Sequence, residues 1–344
     1  IAGNYINSYT YNPQTPVYNM MFGLEYLVNN TSASELTDDY YKELFYYEKY
    51  TAYKNKYCLP LAFCVNDSIK NWNYAASDPF SVQSDWLEKA SGASNVFTQL
   101  PITDISYSNI NEFSEDLKDG TFVYYKTQSD AGASVTFTVT PSKTQHMYLY
   151  VRSDDVSQIT VSDGDQYYRS QAINEPYIFD MGVFKAGTPV QITVPFDGTS
   201  ESGYVTFYCE GINDDVFREG YEKLTDGKMN ITSFDDTDIK GTFTADDSQI
   251  LYTSITYDPS WEVFIDGVRV SDADIIKVGD ALLGVKVSKG RHNIEFRYVA
   301  QGMVQGAIIS GITIIVCIFY IRSEVKKAKT SKVPAEVSDP PRKD

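Results

Sequence analysis

Histidine is almost missing from this chain. Its 344 residues include only His146 and His292. A zinc centre built on several imidazoles cannot be assembled from two. A Ser-His-Asp relay would have to use His146, which precedes MYLYV at a strand start with Asp154 and Asp155 in the next turn and reads as a solvated loop residue. Cysteine is scarce as well, and four are few for a secreted disulfide scaffold of this length. Cys58 and Cys64 could be bridged only through a tight turn at Pro60, because residues six apart on one strand lie roughly 20 Å apart. Cys209 and Cys317 fall in apolar surroundings and read as buried thiols. Basic residues are outnumbered, 29 Lys and Arg against 46 Asp and Glu, and a net charge of −17 repels a phosphate backbone, so nucleic acid is excluded as a partner. The sequence holds no GxSxG, Walker loop, GxGxxG, HExxH or CxxC, and no catalytic residue is assigned. Acidic turns such as Asp163 and Asp165, or Asp235, Asp236 and Asp238, offer oxygen atoms to calcium but lack the EF-hand register. They read as solvated turns, and no metal site is expected.

What is abundant is aromatic. Twenty-eight tyrosines and 18 phenylalanines favour strands, and from Thr121 the apolar pattern has a period of two. SVTFTVT sets Val135, Phe137 and Val139 against Thr136, Thr138 and Thr140, and MYLYVR, VQITV and YVTFYCE repeat the alternation between turn clusters. A β-sandwich is expected over residues 121–211. DDVFREGYEKLTDG, with an acidic start and a closing glycine, reads as a helical connector over 212–228. A second β-sandwich-like region follows over 229–300. In it, WEVFIDGVRV turns at Asp266-Gly267, a pair suited to the two positive φ angles of a type I′ turn, and RHNIEFRY places His292, Ile294, Phe296 and Tyr298 on one face. His292 reads as a hydrogen-bonded residue at the core edge. Residues 1–120 form an α+β segment: TPVYNMMFGLEYLV is a helix entered at Pro16, LFYYEKYTAYKNKYCLPLAFCV a Tyr-rich hairpin, and DPFSVQSDWLEKASG a helix capped by Asp78 and stopped by Gly92. The fold class is mainly β.

Residues 303–321, MVQGAIISGITIIVCIFYI, contain no charge and span ~28 Å as a helix, close to the thickness of a bilayer core. This is a transmembrane helix. After it come seven basic and four acidic residues, so the positive-inside rule makes 322–344 a cytoplasmic tail and puts the bulk of the chain on the extracytoplasmic side of the cell membrane. Gly302, Gly306 and Ser310 form a small-residue stripe for packing against another helix. Ile1 is not a methionine, and no basic region followed by an apolar one opens the chain, which leads to the expectation that a segment precedes it.

Four stretches, SYTYNPQTPVYNMMFGLEYLV, YKNKYCLPLAFCV, SITYDPSWEVFIDGVRV and GDALLGVKVSKGRHNIEFRYVAQGMVQGAIIS, resemble in this order the C-terminal half of the YfhO family of bacterial multi-pass membrane proteins. The matching positions are Gly23, Tyr26 and Leu27; Asn55, Leu59, Pro60, Ala62 and Phe63; Tyr257, Trp261, Asp266 and Gly267; and Gly290, His292, Ile294, Tyr298, Gly302, Gly306 and Ser310. Ala300 departs from the pattern, standing where the family often has proline. The resemblance implies a parent with a multi-pass N-terminal half of GT-C type, similar to enzymes that move a sugar from a polyprenyl-phosphate carrier onto an extracytoplasmic acceptor such as lipoteichoic acid. The family's catalytic acidic loop is expected in that half, outside this chain. The donor belongs to the parent, and no cofactor is expected in this portion, whose role would be to position the glycopolymer acceptor or brace the membrane half.

The motif residues themselves read as structural. Tyr204 and Tyr208 share the outward parity of one strand and Tyr148 and Tyr150 that of another. Exposed rings of this kind stack on sugars, and packing against the α+β segment or the membrane half is the competing reading. A second functional class stays open: a single-pass surface protein whose sandwiches bind carbohydrate or protein without catalysis.

Overall fold

In the computed structural model, residues 15–30, 39–116, 120–164, 168–173, 177–196 and 198–330 are described. Thr15 caps α1 (Pro16–Met21) by accepting from the Tyr18 amide, and Pro16 fills a first-turn position that needs no N–H donor. The expected longer helix stops there. Gly23 turns the chain at φ +63°, where a Cβ would lie 2.9 Å from the Leu59 carbonyl oxygen, and the following residues form β1 (Tyr26–Asn30). The Tyr-rich hairpin is β2 (Tyr41–Tyr47) and β3 (Tyr50–Asn55), with β1 on the far side of β3. After β4 (Ala62–Val65), α2 (Pro79–Ser91) opens on Asp78, whose carboxylate accepts from the Phe80 and Ser81 amides, and closes on Gly92 at φ +80°.

The first sandwich begins upstream of Thr121. Its strands are β5 (Phe97–Gln99), β6 (Ile102–Ser108), β7 (Ile110–Asp116), β8 (Thr121–Lys126), β9 (Ala133–Val139), β10 (Gln145–Arg152), β11 (Gln158–Ser162), β12 (Tyr168–Ala172), β13 (Ile178–Phe184), β14 (Val190–Phe196) and β15 (Ser202–Ile212). One sheet runs β13-β10-β15-β8-β7 with β5 also on β15, and the other runs β12-β11-β14-β9-β6. Val135, Phe137 and Val139 of β9 meet Leu149, Phe207 and Cys209 in a core whose large side chains each contribute roughly 1.5–3 kcal/mol by burial. In β10 every residue but the last is buried. This sheet is therefore covered on both faces, by the second sheet on one and by the N-terminal segment on the other.

α3 (Asp214–Asp226), capped by Asn213, leads into β16 (Asn230–Phe234), β17 (Asp238–Ala245), β18 (Gln249–Thr256), β19 (Trp261–Ile265), β20 (Val268–Arg269), β21 (Ile275–Val278), β22 (Leu282–Val287) and β23 (Gly290–Tyr298). These form sheets β16-β17-β23-β19-β20 and β21-β22-β18-β4. The second sandwich is completed by β4, whose Ala62–Val65 pair with Thr253–Ile250. The N-terminal residues are thus woven into both sandwiches.

α4 (Met303–Thr330) is, among the described residues, the one helix long and apolar enough to cross a membrane, with a mean hydropathy of 2.2 in its apolar part. Two expectations need correction. Gly302 lies before the helix at φ +78°, where its carbonyl accepts from the Gly306 amide, so only Gly306 and Ser310 of the small-residue stripe are helical. Residues 322–330 continue α4 as helix, and the rest of the tail, 331–344, lies outside the described residues, as does Asp165.

Candidate functional site

Several family-motif residues meet in the second sandwich, at the β19–β20 turn and at the two ends of β23. Asp266 and Gly267 adopt φ +51° and +80°, the type I′ turn, between β19 and β20. Oδ1 of Asp266 accepts from the Asn293 amide at 2.8 Å, and Oδ2 from Nδ1 of His292 at 2.8 Å. These bonds, the Asn293 amide first, hold the Asp266 carboxyl below the usual range. Nε2 of His292 faces the Ser288 carbonyl oxygen at 3.1 Å and the Ser288 hydroxyl at 3.5 Å. The order Asp-His-Ser resembles a nucleophile relay, but the shorter contact is to a carbonyl that only accepts. The ring nitrogens tie the turn to the start of β23. Gly290, at φ +137°, begins that strand. At the other end of β23, Tyr298 meets the Trp261 ring edge-on at 5.1 Å, and nearby Tyr257 lies under the Lys277 ammonium at 5.0 Å. Leu59 is buried and Pro60 half-buried beside Gly23, whereas Tyr26 is exposed, 5.7 Å from the Lys54 ammonium.

The four tyrosines expected on open sheet faces are placed differently. Tyr148, Tyr150 and Tyr208 are buried against the N-terminal segment, because the face they share is the covered one. Tyr148 stacks on His146 at 4.8 Å and meets Phe97 edge-on at 5.9 Å, and Tyr150 and Tyr208 lie 6.2 Å apart. Tyr204, nearer the start of β15, is half-buried and donates to Asp154 at 2.7 Å. His146 is also corrected: it is buried within β10, bonded to Asp180 and packed on Tyr40, whose hydroxyl donates to Asp214 at 2.6 Å. Cys58 and Cys64 are both thiols, and burial pushes them up to about 11 and about 12.

One feature of this junction bears on ligands. Between the N-terminus of α2 and the covered face of the first sandwich lies a cleft of about 460 Å³, lined by Asn73, Ser77, Asp78, Ser81, Gln99 and Tyr208. Its size is that of small-ligand pockets. Tyr208 reaches it because Gly120 leaves room: a Cβ there would sit 2.6 Å from the tyrosine ring. Glu210, two residues along β15 and opposite Gln99 of β5, is 5% exposed. Burial first, and the Asp78 carboxylate second, push its carboxyl up to about 8. Asp78 meanwhile accepts two backbone amides. Two neighbouring carboxyls thus stand in opposite environments, one solvated by a helix N-terminus and one desolvated. Sequence reading missed this pair because Glu210 shares the parity of Tyr204 and Tyr208 on a face that looked wet. Among the described residues no group of three or more His, Cys, Asp and Glu side chains could hold a metal ion.

Two antiparallel sandwiches, interlocked through the N-terminal segment and followed by one apolar helix, define a membrane-attached β protein. The family model described as bacterial membrane protein YfhO matches residues 4–310, and the chain belongs to that family. It is similar to an uncharacterized protein, YfhO, of Bacillus subtilis (strain 168), 21% identical over 322 residues; the alignment covers 89% of this chain and 36% of the relative, so the chain spans about a third of that protein's length. Solved structures with some likeness include a Paenibacillus cycloisomaltooligosaccharide glucanotransferase, 8% identical over 63% of this chain and 49% of that one, at a TM-score of 0.20. Another is the mycobacterial arabinofuranosyltransferase AftD, 8% identical over 69% of this chain and 26% of that one, at 0.19. At these scores the likeness carries no argument about activity.

Proposed function

We propose that the full-length parent is a glycosyltransferase of the outer membrane face that moves a sugar from a polyprenyl-phosphate carrier onto a cell-surface polymer such as lipoteichoic acid. The portion described here positions that acceptor or braces the membrane half. Family membership over residues 4–310 supports the parent's class, through the activity that the YfhO resemblance implies. The observation that carries the acceptor role is the cleft at the α2 N-terminus, where the hydroxyl and amide side chains of Ser77, Ser81, Asn73 and Gln99 share a lining with the ring of Tyr208. A sugar presents the matching pair, a ring of hydroxyls and an apolar face. The seven basic residues after the apolar run support an outward orientation of the β modules. No acid and base are assigned here; the chemistry is expected in the membrane half.

The test is deletion of the parent gene followed by NMR analysis of the wall and lipoteichoic polymers. Loss of a sugar substituent, restored by the wild-type gene, is the expected result, and an unaltered polymer overturns the reading. A parent carrying Gln99→Ala, at unchanged protein level, is expected to restore the substituent incompletely; full restoration removes the cleft from the acceptor's path.

A further inference from the structure

The sheet of β1, β3 and β2 carries side chains that neither the family motifs nor the cleft uses. In a strand lying on a protein body, exposure alternates with period two. Here every residue from Lys42 to Tyr50 is exposed, while Thr51, Ala52 and Tyr53 of the central strand β3, opposite Tyr46, Phe45 and Glu43, are buried. The edge strand β2 and the turn into Tyr50 therefore show both faces to solvent, whereas β3 beside them is covered. The tip of the hairpin is apolar: Phe45, Tyr46 and Tyr47 are 63%, 60% and 68% exposed, with Leu44 and Tyr50 beside them. Val28 of β1 and Phe45 of β2 flank Ala52 in adjacent strands, so the apolar surface is continuous across the sheet. A side chain of this size left in water forgoes the stabilisation that burial gives it, and patches of this kind mark binding surfaces.

Three observations select the occupant. Tyrosines interleaved with lysines are the composition of the membrane–water interface, where a ring sits at headgroup depth and an ammonium among phosphates. Lys49 lies 5.4 Å over the Tyr50 ring and Lys54 5.7 Å from that of Tyr26. The hairpin also carries Lys42, Lys49 and Lys54 against Glu43 and Glu48, with Glu25 paired to Lys54 at 3.0 Å, so it is locally balanced in a chain of net charge −17. Finally, the topology brings the root of the hairpin and the foot of α4 to one end of the second sandwich. Leu61 and Ala62, six and seven residues after β3, meet Ser254 and Thr253 of β18, and the chain leaves the end of that strand through Tyr257 to Trp261 at the start of β19, the partner of Tyr298 just before α4.

We propose that the β2–β3 hairpin is an interfacial anchor, docking Leu44, Phe45, Tyr46 and Tyr47 at the headgroup–acyl boundary of the bilayer that α4 crosses. The chain is then held at two points, and the β modules keep a fixed orientation to the lipid surface.

The full chain carrying Phe45→Trp, reconstituted into phosphatidylcholine–phosphatidylglycerol vesicles, tests this by emission difference from the wild-type chain. The added tryptophan is expected to shift to shorter wavelength, to lose most of its emission to lipids brominated near the headgroup, and to resist aqueous iodide. Val183→Trp, at an exposed site on β13, serves as the control and stays accessible to iodide and unaffected by brominated lipid. A tryptophan at position 45 that iodide quenches freely overturns the proposal. Shielding from both quenchers also overturns it and assigns the patch to a protein surface, a second copy or the rest of the longer family protein.

Discussion

Glu210 and Asp266 make opposite demands on pH. A carboxyl whose folded pKa lies above its unfolded value binds more protons folded than unfolded between the two, so stability falls as pH rises through that window. For Glu210 the window runs from about 4.5 to about 8, with a slope of up to ~1.4 kcal/mol per pH unit. Glu210→Gln is expected to raise the melting temperature at pH 8, leave it nearly unchanged at pH 4.5 and flatten the profile between; calorimetry across that range checks it, and an unchanged profile contradicts the assignment. Asp266 is held low, so its contribution is present above the ordinary carboxylate range and disappears as pH falls through its depressed value. Asp266→Ala loses both acceptors and puts a non-glycine, non-Asn side chain at φ +51°. It is expected to melt lower than Asp266→Asn, which keeps one acceptor and tolerates the turn, in thermal denaturation at pH 7.

Among the elements, α2 shows how far local signals reach. Asp78, Pro79 and Gly92 give both its ends, since capping chemistry is written within a few residues. Asp266-Gly267 gives its turn for the same reason. The alternation in β9 correctly separates buried from half-buried positions, but the same logic misplaces Tyr148, Tyr150 and Tyr208. Period two says which residues share a face and leaves open what covers it. The partner of that face is Trp86, Phe97 and their neighbours, distant in sequence, and no local pattern announces them. α2 also links the two carboxyls: Asp78→Asn retains an N-cap while removing the charge that adds to the shift of Glu210. The pH window of stability is expected to contract at its upper end in that variant, read from the same melting profile.

On the scale of the whole molecule, the transmembrane span and its flanking charges were legible because a bilayer imposes a length and a polarity that few other environments do. The division into consecutive modules was not, because β5, β6 and β7 cross one proposed boundary and β4 crosses three. Sidedness is open to direct measurement. In intact spheroplasts, protease added outside is expected to digest the β modules and leave an epitope appended after Asp344 protected; cleavage of that epitope reverses the proposed orientation. The crossing of β4 has a further consequence in time. Val65 leaves the ribosome about 185 residues before Ile250, its partner, exists. At ~5–20 residues per second, the strand waits roughly 10–40 s with its edge unmet while the entire first sandwich is synthesised. The nascent chain therefore holds an apolar strand in reserve across the making of a complete domain, and any chaperone serving this protein is needed during that interval.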